Sequence, residues 1–219
     1  DELGSCNISQ VAIDKKGRPW VATKEPAGLF VYENHGWKEV KVGGADNEIG
    51  DEIISGLEVD QFGNVWVYTR HEPRYKRGGY FRGPDTYLWR YDGQTWHKHE
   101  GVIGPLALDS QKNLLAVDSL LENESTHRHQ LVIVSFNGSK FLSKFKFRSE
   151  NHKDLFYFVL AHIAQDSKGN LWISYYDDRY GKTYGVVCNN TLYNTLDGLA
   201  DDNVRSITPD ESGAVWCAT

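Results

Sequence analysis

The spacing that decides the fold is contained in residues 14–23, DKKGRPWVAT, where Gly follows Asp by three positions and Trp follows Gly by three. Four copies of this spacing occur along the chain: Asp14-Gly17-Trp20, Asp60-Gly63-Trp66, Asp166-Gly169-Trp172 and Asp210-Gly213-Trp216. A fifth, degenerate copy keeps Asp109 but has Lys112 and Leu115 in place of Gly and Trp. Successive Asp positions are 46, 49, 57 and 44 residues apart. Such a period indicates a structural repeat.

Short β-prone runs flank each copy and predict a hairpin. They precede the Asp at residues 8–13, 53–59 and 204–208, and they follow the Gly at residues 65–69 and 171–175. The Asp carboxylate is suited to accept a backbone N–H two residues on, and Gly adopts positive φ at no steric cost, so the segment between the runs predicts a tight turn. A third run follows at 29–32, 87–91 and 131–134, and a fourth is marked by Trp37, Trp96 or Phe141.

Four antiparallel strands in each repeat of roughly 40–50 residues are typical of a β-propeller blade. We therefore predict an all-β fold, a β-propeller with four complete four-stranded blades and a partial fifth. A β-sandwich is the alternative, but it would not produce so regular a spacing. The predicted repeats are residues 1–46, 47–98, 99–150, 151–196 and the partial 197–219, all within one propeller segment, 1–219. Thr219 matches Thr23 at an offset of 196, halfway through a blade. We expect a larger propeller, or another chain that covers the bare sheet edge.

Composition excludes several classes of function. Lys+Arg total 24 against 30 Asp+Glu, and a net charge of −6 argues against a nucleic-acid-binding surface. No apolar run reaches the ~18–20 residues that cross a bilayer, so no direct membrane insertion is expected. Cys6, Cys188 and Cys217 lack zinc-site spacing, and we interpret them as small, partly buried residues. One disulfide remains open if the protein is exported.

The connections between the second and third strands contain the candidate ligand-binding residues. Those at 70–85, 118–128 and 175–183 are longer than the turns at the opposite end of the blades, and variable connections often carry function. Arg side chains suit anions and sugars, and aromatic rings stack on sugar faces. The candidates are Arg74, Tyr75, Arg77, Tyr80, Arg82, Tyr175, Tyr176, Asp178, Arg179 and Tyr180. Solvated loops whose aromatic rings pack back on the blades are the alternative.

No catalytic residue, metal site or cofactor is predicted. The repeated Asp, Gly and Trp residues are too regular for catalysis, and we interpret them as structural. No D-x-D-x-D loop surrounds the Asp residues, which argues against calcium. His97 and His99 alternate along a strand, as do His127 and His129, but neither pair has a third ligand nearby in the sequence.

Residues 14–32 resemble the two-component-regulator propeller repeat, which has the form D-x-x-G-x-[LIV]-W-[IV]-[AGS]-T followed by G-L and a hydrophobic strand. The lead-in at 199–204 is similar to the family's linker. The resemblance covers almost the whole chain, although unit three lacks the Gly and Trp and Pro19 departs from the usual aliphatic residue. In that family the repeats form extracytoplasmic sensor regions of bacterial histidine kinases, and similar repeats occur in secreted or surface proteins.

The resemblance implies a bacterial, periplasmic or extracellular propeller that senses a carbohydrate or another small polar ligand without catalysis. Two alternatives stay open at this point. One is a propeller enzyme, a lyase or hydrolase, with a site at the channel mouth. The other is a protein-interaction platform, which a broad apolar patch would distinguish.

Overall fold

The computed structural model describes residues 6–43, 52–71, 86–118, 131–147, 158–177, 182–189 and 191–219. In these ranges the chain forms four four-stranded antiparallel sheets and one two-stranded sheet. We number the sheets as blades one to five and label the strands of each blade A to D in chain order. The arrangement confirms the predicted four complete blades and partial fifth. The described ranges contain no helix that is long and apolar enough to cross a membrane.

The chain divides into two compact units, residues 1–104 and 105–219. Blade one comprises β1 (Ile8–Ile13), β2 (Pro19–Lys24), β3 (Ala27–Glu33) and β4 (Gly36–Glu39). Blade two comprises β5 (Glu52–Val59), β6 (Val65–His71), β7 (Thr86–Tyr91) and β8 (Trp96–His99). Both blades pair their strands in chain order, β1-β2-β3-β4 and β5-β6-β7-β8.

Three further blades follow along the chain. Blade three comprises β9 (Val102–Leu108), β10 (Leu114–Asp118), β11 (Leu131–Phe136) and β12 (Phe141–Phe147). Blade four comprises β13 (Phe158–Gln165), β14 (Leu171–Asp177), β15 (Lys182–Cys188) and β16 (Thr191–Tyr193). Blade five comprises β17 (Ser206–Pro209) and β18 (Val215–Ala218), preceded by one 3₁₀ turn at Thr195–Asp197.

Apolar residues on the faces of the sheets pack one blade against the next. In the first unit, Trp20 and Val31 of blade one pack with Leu57, Val67 and neighbouring residues of blade two. In the second unit a smaller cluster joins blades four and five, with the members Ala164, Val186, Val204 and Ile207. Blades one and two, and blades four and five, thus bury apolar side chains on each other, because a single amphipathic sheet has no core of its own.

Strand A of three blades contains a β-bulge at the same repeat position. The register shifts between Ile8 and Gln10 in β1, between Ile54 and Gly56 in β5, and between Leu160 and His162 in β13. A bulge inserts one unpaired residue and increases the local twist of the strand. The bulges therefore bend each of these A strands at an equivalent point.

Candidate functional site

The repeated Asp carboxylates hold the A–B turns. In blade two, Oδ1 of Asp60 accepts the backbone N–H groups of Phe62 and Asn64, both at 2.9 Å. Its Oδ2 accepts the Asn64 side-chain amide at 2.7 Å and the Trp66 indole Nε1–H at 2.8 Å. Gly63 completes the turn at φ +90°. The buried carboxylate thereby joins a turn to the indole of strand B, which is a structural role.

The same contacts recur in the other turns. Indole Nε1 donates to the Asp Oδ2 at 3.1 Å in blade one, 3.0 Å in blade four and 2.9 Å in blade five. Burial opposes the charged form of Asp14, but the bonds from Trp20 and Arg18 outweigh it and lower the pKa of Asp14. In blade five, bonds from Ser212 and Trp216 lower the pKa of Asp210 to about 2.

Blade three has no Trp at this position, and a lysine replaces the indole as the donor. Asp109 Oδ1 still accepts the backbone N–H groups of Gln111 and Asn113, both at 2.8 Å. Nζ of Lys144, which lies on β12, forms a salt bridge with Asp109 Oδ2. Lys112 occupies the glycine position at φ 59°. The degenerate repeat therefore keeps the turn by using a side chain from strand D.

The B–C connections lie at the end of the blades opposite these turns. In blade one, Glu25 and Pro26 join strand B to strand C, whereas the corresponding connections of blades two, three and four span 72–85, 119–130 and 178–181. The A–B turns, by contrast, all have the same length. Unequal connections at one end of similar blades indicate where function is carried, because connecting segments vary more than the strands they join.

Most of the predicted ligand-binding residues lie outside the described residues. These are Arg74, Tyr75, Arg77, Tyr80, Arg82, Asp178, Arg179 and Tyr180, and the side chain of Tyr176 is also outside the description. Tyr175 is described: it is 6% exposed, and its ring stacks on that of Tyr184 at a centroid distance of 5.7 Å. Burial raises the pKa of Tyr175, and Tyr184 adds to the effect. The pair packs strand B against strand C immediately before the 178–181 connection.

Blade two contains a half-buried carboxyl group that the sequence analysis missed. Glu58 lies opposite Trp66 in the β5–β6 register, at the repeat position that Ala12 and Ala164 occupy in blades one and four. Burial raises the pKa of Glu58 to about 7. Within the described part of the chain, no hydrogen bond or ion pair to the Glu58 carboxyl group is found. A carboxyl group with this pKa is suited to exchange a proton near neutral pH. The sequence signal was the replacement of a repeated Ala by Glu.

The described histidines form no metal site. His97 Nε2 and Asp92 Oδ2 are 2.7 Å apart, and the His99 ring lies 5.2 Å from that of Trp66. Burial, together with the charges of Arg90 and His97, lowers the pKa of His99 to about 4. No group of three or more His, Cys, Asp or Glu residues suited to a metal occurs in the described ranges. His127 and His129 lie outside those ranges.

The three cysteines are free and contribute no disulfide. Burial raises the pKa of the Cys188 thiol, with a smaller contribution from Asp166, and burial also raises that of Cys217. A raised pKa keeps both as thiols at neutral pH, which argues against a nucleophilic role.

Comparison with solved structures places the chain among β-propellers. The extracellular domain of a putative hybrid two-component system from B. thetaiotaomicron has a TM-score of 0.54 and 14% identity, over 96% of this chain and 26% of that one. A streptogramin B lyase has a TM-score of 0.54 and 12% identity, over 99% and 63%. A putative gluconolactonase has a TM-score of 0.50 and 16% identity, over 85% and 61%.

At these identities the similarity shows the fold alone. This chain is a β-propeller segment. It spans less than two thirds of each of the three solved chains. No protein-family model matches the sequence, and no curated protein matches it.

Proposed function

We propose that this chain is a non-enzymatic, extracytoplasmic ligand-binding segment of a propeller. It takes a carbohydrate or another small polar ligand at the end of the blades where the B–C connections lie. The proposal is carried by the contrast between the two ends. The A–B turns repeat one Asp-centred geometry, whereas the B–C connections differ from blade to blade in length and composition.

The residue types in the variable connections support a polar ligand. Segment 72–85 contains Arg74, Arg77 and Tyr80, and segment 178–181 contains Asp178 and Arg179. Guanidinium groups donate paired hydrogen bonds to carboxylates or vicinal hydroxyls, and phenol rings stack on sugar faces. The resemblance to sensor repeats points the same way. One solved structure with the same fold is the extracellular domain of a putative two-component system, which agrees with a sensor role.

Binding of oligosaccharides to the 219-residue chain tests the proposal. A glycan array, followed by titration calorimetry, is expected to find at least one ligand with a Kd between roughly 1 μM and 1 mM. Arg77→Ala and Tyr80→Ala should each lower the affinity for that ligand about tenfold, which corresponds to a loss of about 1.4 kcal/mol in binding free energy. Lys16→Ala is the matched control, because Lys16 is exposed in the A–B turn of blade one. A folded protein that binds no glycan and no charged small molecule would contradict the proposal.

An enzyme, specifically a lyase or hydrolase, is the second candidate, and Glu58 is the observation that favours it. A carboxyl group with a pKa of about 7 is poised as a general acid or base. Turnover of a glycan or lactone panel by the chain would support this candidate. Glu58→Gln should then lower the rate by roughly 10²-fold or more, whereas Glu39→Gln, which alters an exposed carboxylate on β4, should leave it unchanged.

A further inference from the structure

Four polar and aromatic residues share one face of blade two, and we name them the blade-two cluster: Thr69, Tyr87, Trp89 and Lys98. Thr69 of β6 lies opposite Tyr87 of β7. Trp89, two residues further along β7 and therefore on the same face, lies opposite Lys98 of β8. The same four positions of blade one hold Thr23, Gly28, Phe30 and Glu39. The blade-two cluster therefore adds a Tyr ring to the repeat and replaces an anion by a cation.

Two buried hydrogen-bond donors of this cluster have no partner among the described residues. They are the Thr69 hydroxyl and the Trp89 indole Nε1, in residues that are 0% and 7% exposed. In blade one the same threonine position is satisfied, because Thr23 Oγ1 donates to the Pro26 carbonyl at 2.6 Å. Native proteins pair nearly all of their buried polar groups, since an unpaired one lowers stability. Two such donors on one face therefore indicate an acceptor that these strands do not supply.

An exposed lysine covers the aromatic part of the cluster. Lys98 Nζ lies 3.6 Å from the centroid of the Tyr87 ring and 5.6 Å from that of the Trp89 ring. Lys98 is exposed, and no carboxylate in the part of the chain that the structure describes forms a salt bridge with it. A cation–π contact at an exposed site is weak, so a ligand that offers Lys98 a negative charge can draw its ammonium group off the rings.

The sequence next to the cluster is basic. Segment 72–85, which joins β6 to β7, contains four basic and two acidic residues: Arg74, Lys76, Arg77 and Arg82 against Glu72 and Asp85. Its net charge is therefore +2 in a chain whose net charge is −6. A local positive excess on a negatively charged protein attracts anions to that end of the blade.

We propose that the blade-two cluster binds a negatively charged sugar, which carries a carboxylate or a sulfate group. The acidic group pairs with Lys98 Nζ, and the sugar ring takes the place of the ammonium group over the Tyr87 ring. The Thr69 hydroxyl and the Trp89 indole donate hydrogen bonds to oxygens of the sugar. The inference rests on the proposed carbohydrate-binding function and narrows it to acidic carbohydrates. None of these four residues is among the ligand-binding candidates that the sequence predicts.

A glycan array tests the proposal on the 219-residue chain, with uronate, sulfated and neutral glycans matched in length and linkage. Titration calorimetry then compares the best charged glycan with its neutral counterpart. We expect the charged glycan to bind at least about tenfold more tightly. The difference should shrink in about 1 M salt, where the screening length falls to roughly 3 Å. A preference for the uronate or for the sulfated form identifies the acidic group.

Two variants and one control locate the contact. Lys98→Gln should lower the affinity for the charged glycan about tenfold and leave the neutral one unchanged, whereas Tyr87→Leu should weaken both. Lys146→Gln is the matched control, because Lys146 is also an exposed lysine on a strand D, in blade three. Bound glycan should protect Lys98, but not Lys146, from reductive methylation detected by mass spectrometry.

The possible results separate this inference from the proposed function. A bound glycan whose affinity Lys98→Gln and Tyr87→Leu leave unchanged would overturn the inference, while the carbohydrate-binding function would stand. Equal affinity for charged and neutral glycans would have the same meaning. A folded chain that binds no glycan at all would contradict both. Because Lys98 is exposed, its substitution tests binding without altering the core between blades one and two.

Discussion

At the scale of the residue, a single carboxylate organises each A–B turn. Asp60 accepts two backbone N–H groups, one amide and one indole N–H, all within 2.9 Å. Hydrogen bonds to a charged group contribute about 1.5–3 kcal/mol each to stability. If one partner is lost, the cost of removing the remaining buried group from water is no longer offset by a hydrogen bond. The repeat can therefore exchange a donor but not omit one, and blade three exchanges Trp for Lys144.

Lys144→Met should destabilise the protein by about 2–4 kcal/mol. The Asp109 side chain is 0% exposed, and removing Lys144 leaves that charge without its cation. Burial opposes the charged form of Asp109, yet Lys144 and the Asn113 bonds outweigh it and lower the pKa of Asp109. The loss should be measured by urea unfolding at pH 7. It should shrink on acidification, because protonated Asp109 no longer requires the cation.

The matched control for this experiment is Lys146→Met, which removes an exposed lysine from the same strand. It should change the free energy of unfolding by less than about 0.5 kcal/mol. Equal losses in the two variants would show that Lys144 does not replace the indole donor.

The wild-type protein should lose stability as pH rises because of the Glu58 carboxyl group, and Glu58→Gln should remove that loss. The folded protein holds the pKa of Glu58 at about 7, whereas that of an unfolded Glu is about 4.5. Between these values the unfolded chain releases the proton while the folded chain keeps it, so stability falls as pH rises. The wild-type free energy of unfolding should drop by roughly 2–3 kcal/mol between pH 4.5 and 8 from this group.

Urea unfolding at pH 4.5, 6 and 8 measures this difference. Glu58→Gln should resemble the wild type at pH 4.5 and exceed it at pH 8, whereas Glu39→Gln should follow the wild type throughout. Parallel profiles for Glu58→Gln and wild type would mean that the Glu58 carboxyl is ionised in the folded protein.

At the scale of the element, the A–B turn requires one residue with positive φ. Lys112 adopts φ 59° where the other blades have Gly. The left-handed conformation costs an L-residue roughly 1–2 kcal/mol, and glycine avoids this cost. Part of that gain is lost again, because glycine has greater conformational freedom in the unfolded chain. Lys112→Gly should therefore raise the free energy of unfolding by about 0.5–1 kcal/mol.

The reverse change provides the check. Gly169 has φ +85° and open space around the position of a Cβ atom, so Gly169→Ala tests the backbone conformation without a steric clash. It should lower stability by about 1 kcal/mol. Thermal unfolding of both variants should show midpoint shifts of opposite sign. A gain of stability in Gly169→Ala would contradict this account of the turn.

The sequence spacing predicts the turns and strands because both depend on residues close together in the chain. It does not predict the bulge after Ile8, Ile54 and Leu160, since no residue type recurs there: Gly56 ends the shift in blade two, whereas Gln10 and His162 hold that place in blades one and four. It also misses Lys144, which reaches Asp109 from strand D, far along the chain. At the candidate site, the residue composition identifies the polar B–C connections. The raised pKa of Glu58 could not be predicted in this way, because it depends on burial that only the fold produces.

At the scale of the whole molecule, residues at equivalent repeat positions contribute different amounts to the free energy of unfolding, because each repeat is stabilised by its neighbours. Ile8 and Ile54 share residue type, repeat position and the bulge that follows, and each pairs with a buried Thr, Thr23 or Thr69. Ile54 packs in the cluster between blades one and two and is 3% exposed, whereas Ile8 is 50% exposed. The local sequence does not reveal this difference.

Ile54→Ala should accordingly lower the free energy of unfolding by about 2–4 kcal/mol, the cost of lost burial plus a cavity in the cluster. Ile8→Ala removes the same atoms from a half-exposed site and should cost less than about 1 kcal/mol. Intrinsic strand preference changes equally in both variants and cancels in their comparison, so the difference measures packing between blades. Urea unfolding of the two variants provides the measurement. Equal losses would mean that Ile8 is covered in solution by a partner as extensive as the one that covers Ile54.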